Sequence, residues 1–445
     1  MKPLIPYNSD YRSEEIINLL KHKSTSLEND EDLDPLIERI GDAKYVLVGE
    51  ASHGTHEYYT WRMRLTQRLI KEKNFSFVAV EGDWPDCYRI NRYAKGYQNS
   101  DKDEYDVLRA FNRWPTWMWA NWEMVAFVKW LKDFNKNLSS ENRIGFYGLD
   151  VYSFRESMQQ IMSYLEKNDP DALKTAQQVI RCFEPFGDNE GILYAKASTL
   201  VPELCEDEVL KMLTEIMKKL PNYNSDRENV FSTEQNAYIA LNAEKYYRAM
   251  ILGGPQSWNI RDRHMVSTLK RLMKYHGKKA KTIVWEHNTH IGDARATPMV
   301  TEGMVNVGQL VKEEYATDGV VTVGFGSYKG SVIAGRSWGA ETRKMTVPEA
   351  KIKSWEHLFH EAANGENRLL IMNKVIGQAC VSGHIDHRAI GVVYNPEYEK
   401  SGNYVPSILP MRYDAFIFLD ESNALHPLNL SADRSQIPDS FPFGV

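Results

Sequence analysis

Hydrophobic residues recur along the chain in short unbroken runs, separated by longer amphipathic stretches. The runs are rich in β-branched and aromatic residues and do not alternate with polar ones, which is typical of strands covered on both faces of a sheet. The predicted strands are Tyr45–Gly49, Phe77–Glu81, Ile144–Leu149, Thr282–Glu286, Val320–Gly324, Leu369–Met372, Ala389–Tyr394 and Ala415–Leu419. Helical periodicity fills most gaps, as over Tyr58–Glu72 and Asn121–Asn135. This order predicts an α/β fold with a mainly parallel central sheet flanked by helices.

Strand signals disappear between residues 151 and 275, where one helical pattern follows another. Phe154–Lys167, Asp207–Lys219 and Thr233–Met250 are clear examples. We therefore predict a discontinuous α/β catalytic core made of residues 1–150 and 276–445, with residues 151–275 as an inserted helical subdomain or cap.

Composition narrows the class of protein. A net charge of −6 over 445 residues gives no basic surface for nucleic acid or an anionic membrane. The sequence has no apolar run of about 18 residues and no secretory signal at its start. The four cysteines, Cys87, Cys182, Cys205 and Cys380, have no C-x-x-C spacing and are expected to be reduced thiols. We expect a cytoplasmic monomer that acts on a small molecule.

Titratable side chains concentrate where four predicted strands end. The first strand is followed by Glu50, Ser52, His53 and Glu57, the second by Glu81 and Asp83, the third by Asp150, and the fourth by His287 and His290. Ligands bind beyond the carboxyl ends of strands in open parallel sheets. The convergence predicts an active site at this edge.

Several of these residues have simpler structural explanations. Ser52 could be the N-cap of a helix, and Glu57 could place favourable negative charge at a helix N-terminus. Asp150 could equally well be a helix cap or a residue of the site. Arg62 could serve only as a salt-bridge partner of a strand-end carboxylate. His53 and His290 point more strongly to proton transfer, because imidazole titrates near neutral pH.

The motifs that are missing restrict the chemistry. The sequence has no G-x-S-x-G elbow and no phosphate-binding glycine motif. Two ways of activating water remain. A histidine could act as general base, or a divalent metal could be held by two or three of His53, His290, Glu50 and Glu81. The spacing matches no metallopeptidase signature, so we favour the site without a metal.

The segment Trp114–Glu123 contains four of the 11 tryptophans. We interpret it as a buried helix face in preference to a wall that contacts ligand.

Taken together, these motifs resemble those of the erythromycin esterase family. The matching elements are Gly49-Glu50-Ala-Ser-His53-Gly54 with Glu57 and Arg62, Val80-Glu81-Gly-Asp-Trp84, the tryptophan-rich segment, Asn259-x-Arg261-Asp262-x-x-Met265, Trp285-Glu286-His287-Asn-Thr-His290, and Arg388-Ala-Ile-Gly391. They span nearly the whole chain in family order. Some chains of this kind are called succinoglycan biosynthesis proteins.

The resemblance implies hydrolysis of the lactone of erythromycin-like macrolides without a cofactor or metal, and hence antibiotic resistance. It implies that His53 is the general base. The rest of the catalytic site would be Glu50, Arg62, Glu81, His287 and His290. A macrolide needs a broad aromatic cleft, for which Trp84, Trp117 and Trp119 are the expected wall.

Three alternatives stay open at the level of sequence. The same fold could hydrolyse a different ester or lactone. The same cluster could serve a metal-dependent hydrolase or peptidase. A non-catalytic ligand-binding protein linked to polysaccharide synthesis would use the cluster to grip a ligand without turnover.

Overall fold

The computed structural model describes residues 10–98, 100–198, 205–219, 226–372 and 383–428. The strands are β1 Ser24–Ser26, β2 Tyr45–Val48, β3 Phe77–Val80, β4 Gly145–Gly148, β5 Thr282–Trp285, β6 Val320–Gly335, β7 Thr342–Val347, β8 Arg368–Ile371, β9 Ile385–Arg388, β10 Tyr404–Ser407 and β11 Ala415–Ser422. The helices before β5 are α1 Asp10–Lys23, α2 Asp34–Ile40, α3 His56–Lys73, α4 Trp84–Ala94, α5 Glu104–Arg109, α6 Trp122–Asn135, α7 Phe154–Asn168, α8 Pro170–Phe183, α9 Glu190–Ser198, α10 Glu206–Lys219, α11 Arg227–Met250 and α12 Gln256–His276. Those after it are α13 Asn288–Ile291, α14 Val307–Glu314, α15 Trp355–Ala363, α16 Glu399–Gly402 and α17 Leu409–Arg412.

The central sheet has the strand order β1-β8-β11-β6-β2-β5-β3-β4, with β7 attached to β6. The strands from β11 to β4 in this order are parallel, whereas β1, β8 and β7 pair antiparallel with their neighbours. Trp285 lies opposite both Val48 and Val80, so β2, β5 and β3 end at the same level. The α/β fold with a mainly parallel sheet is confirmed.

Alternate residues of the central strands enter two separate apolar layers. In β2, Val46 and Val48 join one buried cluster, while Tyr45 and Leu47 join the other. Both faces of the sheet are therefore covered by helices, which explains why the strands read as unbroken apolar runs.

Two strand predictions need revision. The strand predicted over Ala389–Tyr394 is wrong, because the strand lies just before it at β9, in a two-stranded ribbon with β10. The following residues touch other strands and loops only at isolated bridges, such as Ile390 to Ser52. The strand predicted over Val320–Gly324 continues to Gly335, because its second half leaves the parallel sheet to pair with β7.

Between β4 and β5, the described residues form helices α7 to α12 and no strand. Helices α7 to α11 enclose an apolar cluster of their own, which includes Phe154, Phe183 and Tyr247. Helix α12 instead places Met265 and Leu269 in the cluster that covers the sheet. The division of the chain into two domains stays a prediction.

The expectation that all cysteines are reduced is wrong for one pair. Cys182 in α8 and Cys205 before α10 form a disulfide, because the chain folds back through α9 and brings their Cα atoms to 5.9 Å. Cys87 is free and buried, and Cys380 lies outside the described residues. Because disulfides are rare in reducing compartments, this pair weighs against the cytoplasmic location, which stays a prediction. No helix in the described ranges has the length and apolar character to cross a membrane.

The loop between β2 and α3 is pressed against its neighbours through backbone contacts. The carbonyl of Gly54 accepts hydrogen bonds from the amides of Ile333 and Leu425, both at 3.0 Å. A Cβ atom on Gly54 would lie 1.9 Å from the carbonyl oxygen of Ile333, and one on Gly49 would lie 2.1 Å from Asn288 Oδ1. The lack of a side chain at these two positions lets the loop lie directly on β6 and α13.

Replacing Gly54 with alanine should lower the free energy of unfolding by about 1–3 kcal/mol, the usual cost of extra atoms in a packed region. The added methyl group forces either the loop or β6 to move. Urea denaturation measures the effect, with Gly402→Ala as the control, because nothing lies within 4 Å of the Cβ there. Equal stability of the two variants would contradict this packing.

Candidate active site

The ends of β2, β3, β4 and β5 bring together the side chains expected from the sequence. Glu50, His53, Glu81, Asp150, His287 and His290 are all buried at this edge of the sheet. Charged groups at such depth need partners. Two arginines supply positive charge, one from α3 and one from α12.

Arg261 of α12 holds the strand ends together. Its Nη2 lies 2.6 Å from Glu81 Oε1 and 2.7 Å from Asp150 Oδ2, and its Nε donates to Asp150 Oδ1 at 3.0 Å. Its Nη1 lies 3.1 Å from His290 Nε2. The guanidinium therefore ties β3, β4 and α13 to α12, through the bidentate geometry in which arginine binds carboxylates strongly.

The charge of Glu81 is fixed by this arrangement. Burial acts to raise the pKa of Glu81, but His290 and Arg261 outweigh it and hold that pKa well below its usual range. The second carboxylate oxygen of Glu81 accepts the backbone N–H of His287 at 2.8 Å. Glu81 is thus a permanent anion that also orients the start of α13.

His53 is supported by a carboxylate and an arginine in series. Its Nδ1 lies 2.8 Å from Glu50 Oε1, and Glu50 Oε2 lies 2.6 Å from Arg62 Nη2, as an ion pair without hydrogen-bond alignment. The Arg62 guanidinium also lies over the rings of Tyr59 and Trp285. Because Glu50 occupies Nδ1 and His53 lines the cleft, Nε2 is the nitrogen left for a substrate or water.

Opposing effects set the pKa of His53. Burial lowers it, but the carboxylates of Glu81 and Glu50 outweigh burial and raise the pKa above its ordinary value. The imidazolium form is therefore stabilised at the place where a general base would gain a proton.

His287 lies beside His53, with ring centroids 5.0 Å apart. Its Nδ1 lies 2.8 Å from Thr289 Oγ1 and 3.3 Å from the backbone nitrogen of Thr289, at the start of α13. Nε2 is buried and has no hydrogen-bond partner within the described part of the chain. Burial and the neighbouring His53 lower the pKa of His287 far below its usual value, which makes it neutral.

His290 lies deeper, behind Arg261. Its Nδ1 is 3.0 Å from both oxygens of Asp262, and its ring stacks on Trp258 at 4.5 Å. It is fully buried and does not line the cleft. The structure thus places His290 as a support for Arg261 and Glu81.

The simpler explanations hold for some residues only. Arg62 pairs with Glu50 and is fully buried, out of reach of the cleft. Asp150 binds Arg261. Ser52 contacts the hydroxyl of Thr55 and caps no helix, since α3 begins after Thr55. Glu57 binds the backbone and side chain of Asn423.

A cleft of about 720 Å³, including its open mouth, leads from solvent to His53 and Arg261. Its aromatic lining is Phe111, Trp114, Trp119, Tyr152 and Trp338. Of the three tryptophans expected to form the wall, only Trp119 lines it. Trp84 is buried against Tyr147 and donates to Ser232 of α11, and Trp117 is buried in the core.

The cleft is also lined by two acidic residues that follow β3, Asp83 and Asp86. Asp83 pairs with Arg113, and both line the cleft with Asp86. Burial raises the pKa of Asp83 to about 6, despite Arg113. Burial and then Asp83 raise the pKa of Asp86 to about 8, so Asp86 holds a proton at neutral pH.

Arg261 is the main residue that sequence reasoning did not assign to the site. It is on a helix 111 residues from Asp150, and no strand-end pattern marks it. The motif Asn259-x-Arg261-Asp262 was the available signal, since Asp262 also reaches the site through His290.

Comparison with known proteins agrees with this architecture. A family model described as erythromycin esterase matches residues 70–422. The Escherichia coli protein erythromycin esterase type II is 23% identical over 328 residues, covering 69% of this chain and 74% of that protein.

Solved structures are similar over nearly the whole chain. A succinoglycan biosynthesis protein has a TM-score of 0.76 at 21% identity, covering 94% of this chain and 100% of that chain. A Bacillus cereus protein has a TM-score of 0.77 at 20% identity, covering 95% and 100%. A mutant of the erythromycin esterase EreC in its open conformation has a TM-score of 0.67 at 14% identity, covering 90% and 97%. At these identities the likeness shows the fold.

Replacing Arg261 with methionine should lower the free energy of unfolding at neutral pH by about 3–5 kcal/mol, because Glu81 and Asp150 lose their buried partner. The matched control is Lys270→Met on the same helix, where an exposed pair with Glu314 should cost less than about 1 kcal/mol. Denaturant unfolding of both variants measures the difference.

The pH dependence provides a second check on the same variant. The stabilisation from Glu81 is present at neutral pH, because its folded pKa lies below the ordinary value of 4.5, and is lost as the pH falls towards the folded pKa. The gap between wild type and Arg261→Met should therefore narrow in acid. A gap that is constant from neutral to acidic pH would show that lost packing, not lost charge, destabilises the variant.

Proposed function

Because the chain belongs to the erythromycin esterase family, we propose that it hydrolyses the lactone ester of erythromycin-like macrolides through general-base activation of water by His53. The observation that carries the proposal is the series Arg62, Glu50 and His53, which ends at the cleft. A carboxylate on one nitrogen fixes the imidazole tautomer and leaves the other nitrogen to take a proton.

In the first step, His53 Nε2 removes a proton from a water molecule while the water oxygen forms a bond to the ester carbonyl carbon. Glu50 offsets the charge that the imidazole gains. The carbonyl oxygen becomes an oxyanion, and Arg261 supplies positive charge where it lines the cleft.

In the second step, the tetrahedral intermediate collapses and the bond to the ring oxygen breaks. The imidazolium returns its proton to the departing alkoxide, so the product is an open-chain hydroxy acid and His53 is again neutral. The overall change is the addition of one water molecule.

The proposal includes no metal or other cofactor. The positive charge that a metal would supply next to Glu50, Glu81 and Asp150 comes from Arg62 and Arg261. The aromatic lining suits a large and mostly apolar ring. The monomeric state and a role in antibiotic resistance stay predictions.

Incubation of the chelator-treated protein with erythromycin should give a product heavier by one water, detected by mass spectrometry. His53→Ala should lower kcat/KM by about 10²–10⁴-fold, the usual contribution of a general base. His360→Ala is the control, because that imidazole pairs with Asp420 outside the cleft and should leave turnover unchanged.

Each result of this assay has a distinct meaning. No water gain with the folded wild-type protein would reject the macrolide substrate and call for other esters. Equal activity in His53→Ala would reject His53 as the base. Activity that is lost on chelation and restored by added metal, in protein that stays folded throughout, would reject the metal-free mechanism.

The rate should depend on pH through His53. The neutral imidazole is the active form, so kcat/KM falls as the pH drops through a pKa that lies above the ordinary 6.5. Glu50→Gln removes one of the two carboxylates that raise this pKa and should move the acid limb to lower pH. The control is Glu57→Gln, whose carboxylate binds Asn423. If the acid limb of Glu50→Gln lies at the same pH as that of the wild type and of Glu57→Gln, this role of Glu50 is contradicted.

A further inference from the structure

Outside the cleft, two histidines and one glutamate from distant parts of the chain meet at a single point. His56 is the first residue of α3, Glu123 is the second residue of α6, and His426 follows β11. The Nδ1 atoms of His56 and His426 lie 2.6 Å and 2.7 Å from the same oxygen, Glu123 Oε1. Across the described ranges, this is the one group of three such residues whose ligand atoms lie close enough together for an ion, all within 4.8 Å of one another.

Backbone contacts hold the three residues in place. Thr55 pairs with Ala424, and Asn121 pairs with Pro427, so the segment that carries His426 is attached to both helix starts. The amide of Trp122 also donates to the carbonyl of His426 at 2.9 Å. The convergence is therefore set by the fold as well as by the side-chain rotamers.

The burial of the three side chains is graded. The carboxylate of Glu123 is 3% exposed, whereas the side chains of His56 and His426 are 33% and 62% exposed. A buried anion at the base with two imidazoles at the rim leaves one side open to solvent. An ion could enter from that side and keep water as a further ligand.

We propose that His56, Glu123 and His426 bind one divalent transition-metal ion of the zinc type. Two imidazole nitrogens and one carboxylate oxygen are the ligand set that suits zinc and its neighbours, whereas calcium and magnesium prefer oxygen alone. The proposed hydrolysis involves none of these three residues.

Small movements bring the side chains into ligand geometry. Metal–ligand bonds of about 2.0–2.1 Å in a tetrahedral site place neighbouring ligand atoms about 3.3 Å apart. The two nitrogens, now 2.6 Å and 2.7 Å from Glu123 Oε1, must each move away from it by about 0.6–0.7 Å, because an ion replaces the shared hydrogen bonds.

The site is separate from the catalytic cleft. His56 is three residues beyond His53, but none of the three ligands lines the cleft. The bound ion joins the segment after β11 to the starts of α3 and α6. Its effect is to stabilise the fold around the loop that carries His53, and the ion takes no part in ester hydrolysis.

The test is a titration of chelator-treated full-length protein with Zn²⁺ by calorimetry, and with Co²⁺ by its visible absorption. We expect one ion per chain and a Tm that rises by about 2–5 °C with saturating Zn²⁺. His426→Ala should weaken binding at least tenfold. The control His360→Ala, which removes an imidazole paired with a single carboxylate, should bind as the wild type does.

Glu123→Gln gives an independent check if His426→Ala folds poorly. It keeps the side-chain shape, removes the anionic ligand, and should also weaken binding at least tenfold. The proposal is overturned if the wild type binds no ion, or if it binds an ion with equal affinity after either ligand is changed. Binding and Tm are measured without substrate, so the outcome does not depend on whether the protein hydrolyses a macrolide.

Discussion

A guanidinium buried at the edge of a parallel sheet needs anions at fixed positions, and Arg261 finds them at the ends of two strands. Removing its charge from water is costly, and the cost is offset because Glu81 and Asp150 accept its hydrogen bonds at 2.6–3.0 Å. The two carboxylates depend on Arg261 in turn, because its positive charge compensates their buried negative charge. His290 and then Arg261 are the largest effects that keep Glu81 an anion, and as an anion it orients α13 and raises the pKa of His53. The charge state of the site thus depends in part on one helical side chain.

The sheet register makes this arrangement possible. Because β2, β5 and β3 end level with one another, their following residues enter the same small volume. The backbone segments lie so close together there that some positions have room only for glycine. A Cβ atom on Gly148 would lie 2.3 Å from the carbonyl oxygen of Gly82, and one on Gly54 would lie 1.9 Å from the carbonyl oxygen of Ile333 in β6. Close backbone packing leaves the polar side chains little freedom, which is the preorganisation that electrostatic catalysis requires.

The sequence was informative about strand ends, because an unbroken apolar run followed by charged residues identifies both a buried strand and its carboxyl end. It was uninformative about partners that meet only after folding. Arg261 lies on a helix, where no strand-end pattern marks it, and the Cys182–Cys205 pair depends on how α9 turns the chain. Tryptophan density located an aromatic region but not the direction of each ring: Trp119 faces the cleft and Trp117 the core. The run at Ala389–Tyr394 has strand-like composition, yet it meets neighbours only at single bridges.

The position of Arg261 on α12 has a consequence for engineering the protein and for building chimeras with related proteins. The helices from α7 to α11 surround an apolar cluster of their own, and none of their described residues lines the cleft, so they are candidates for exchange as a unit. Helix α12 is not suited to exchange together with them, because a shift of one helical turn would move Arg261 away from Glu81 and Asp150. A chimera therefore needs its junction before α12, so that the donor supplies α7 to α11 and the recipient keeps the arginine that pairs with its own Glu81 and Asp150.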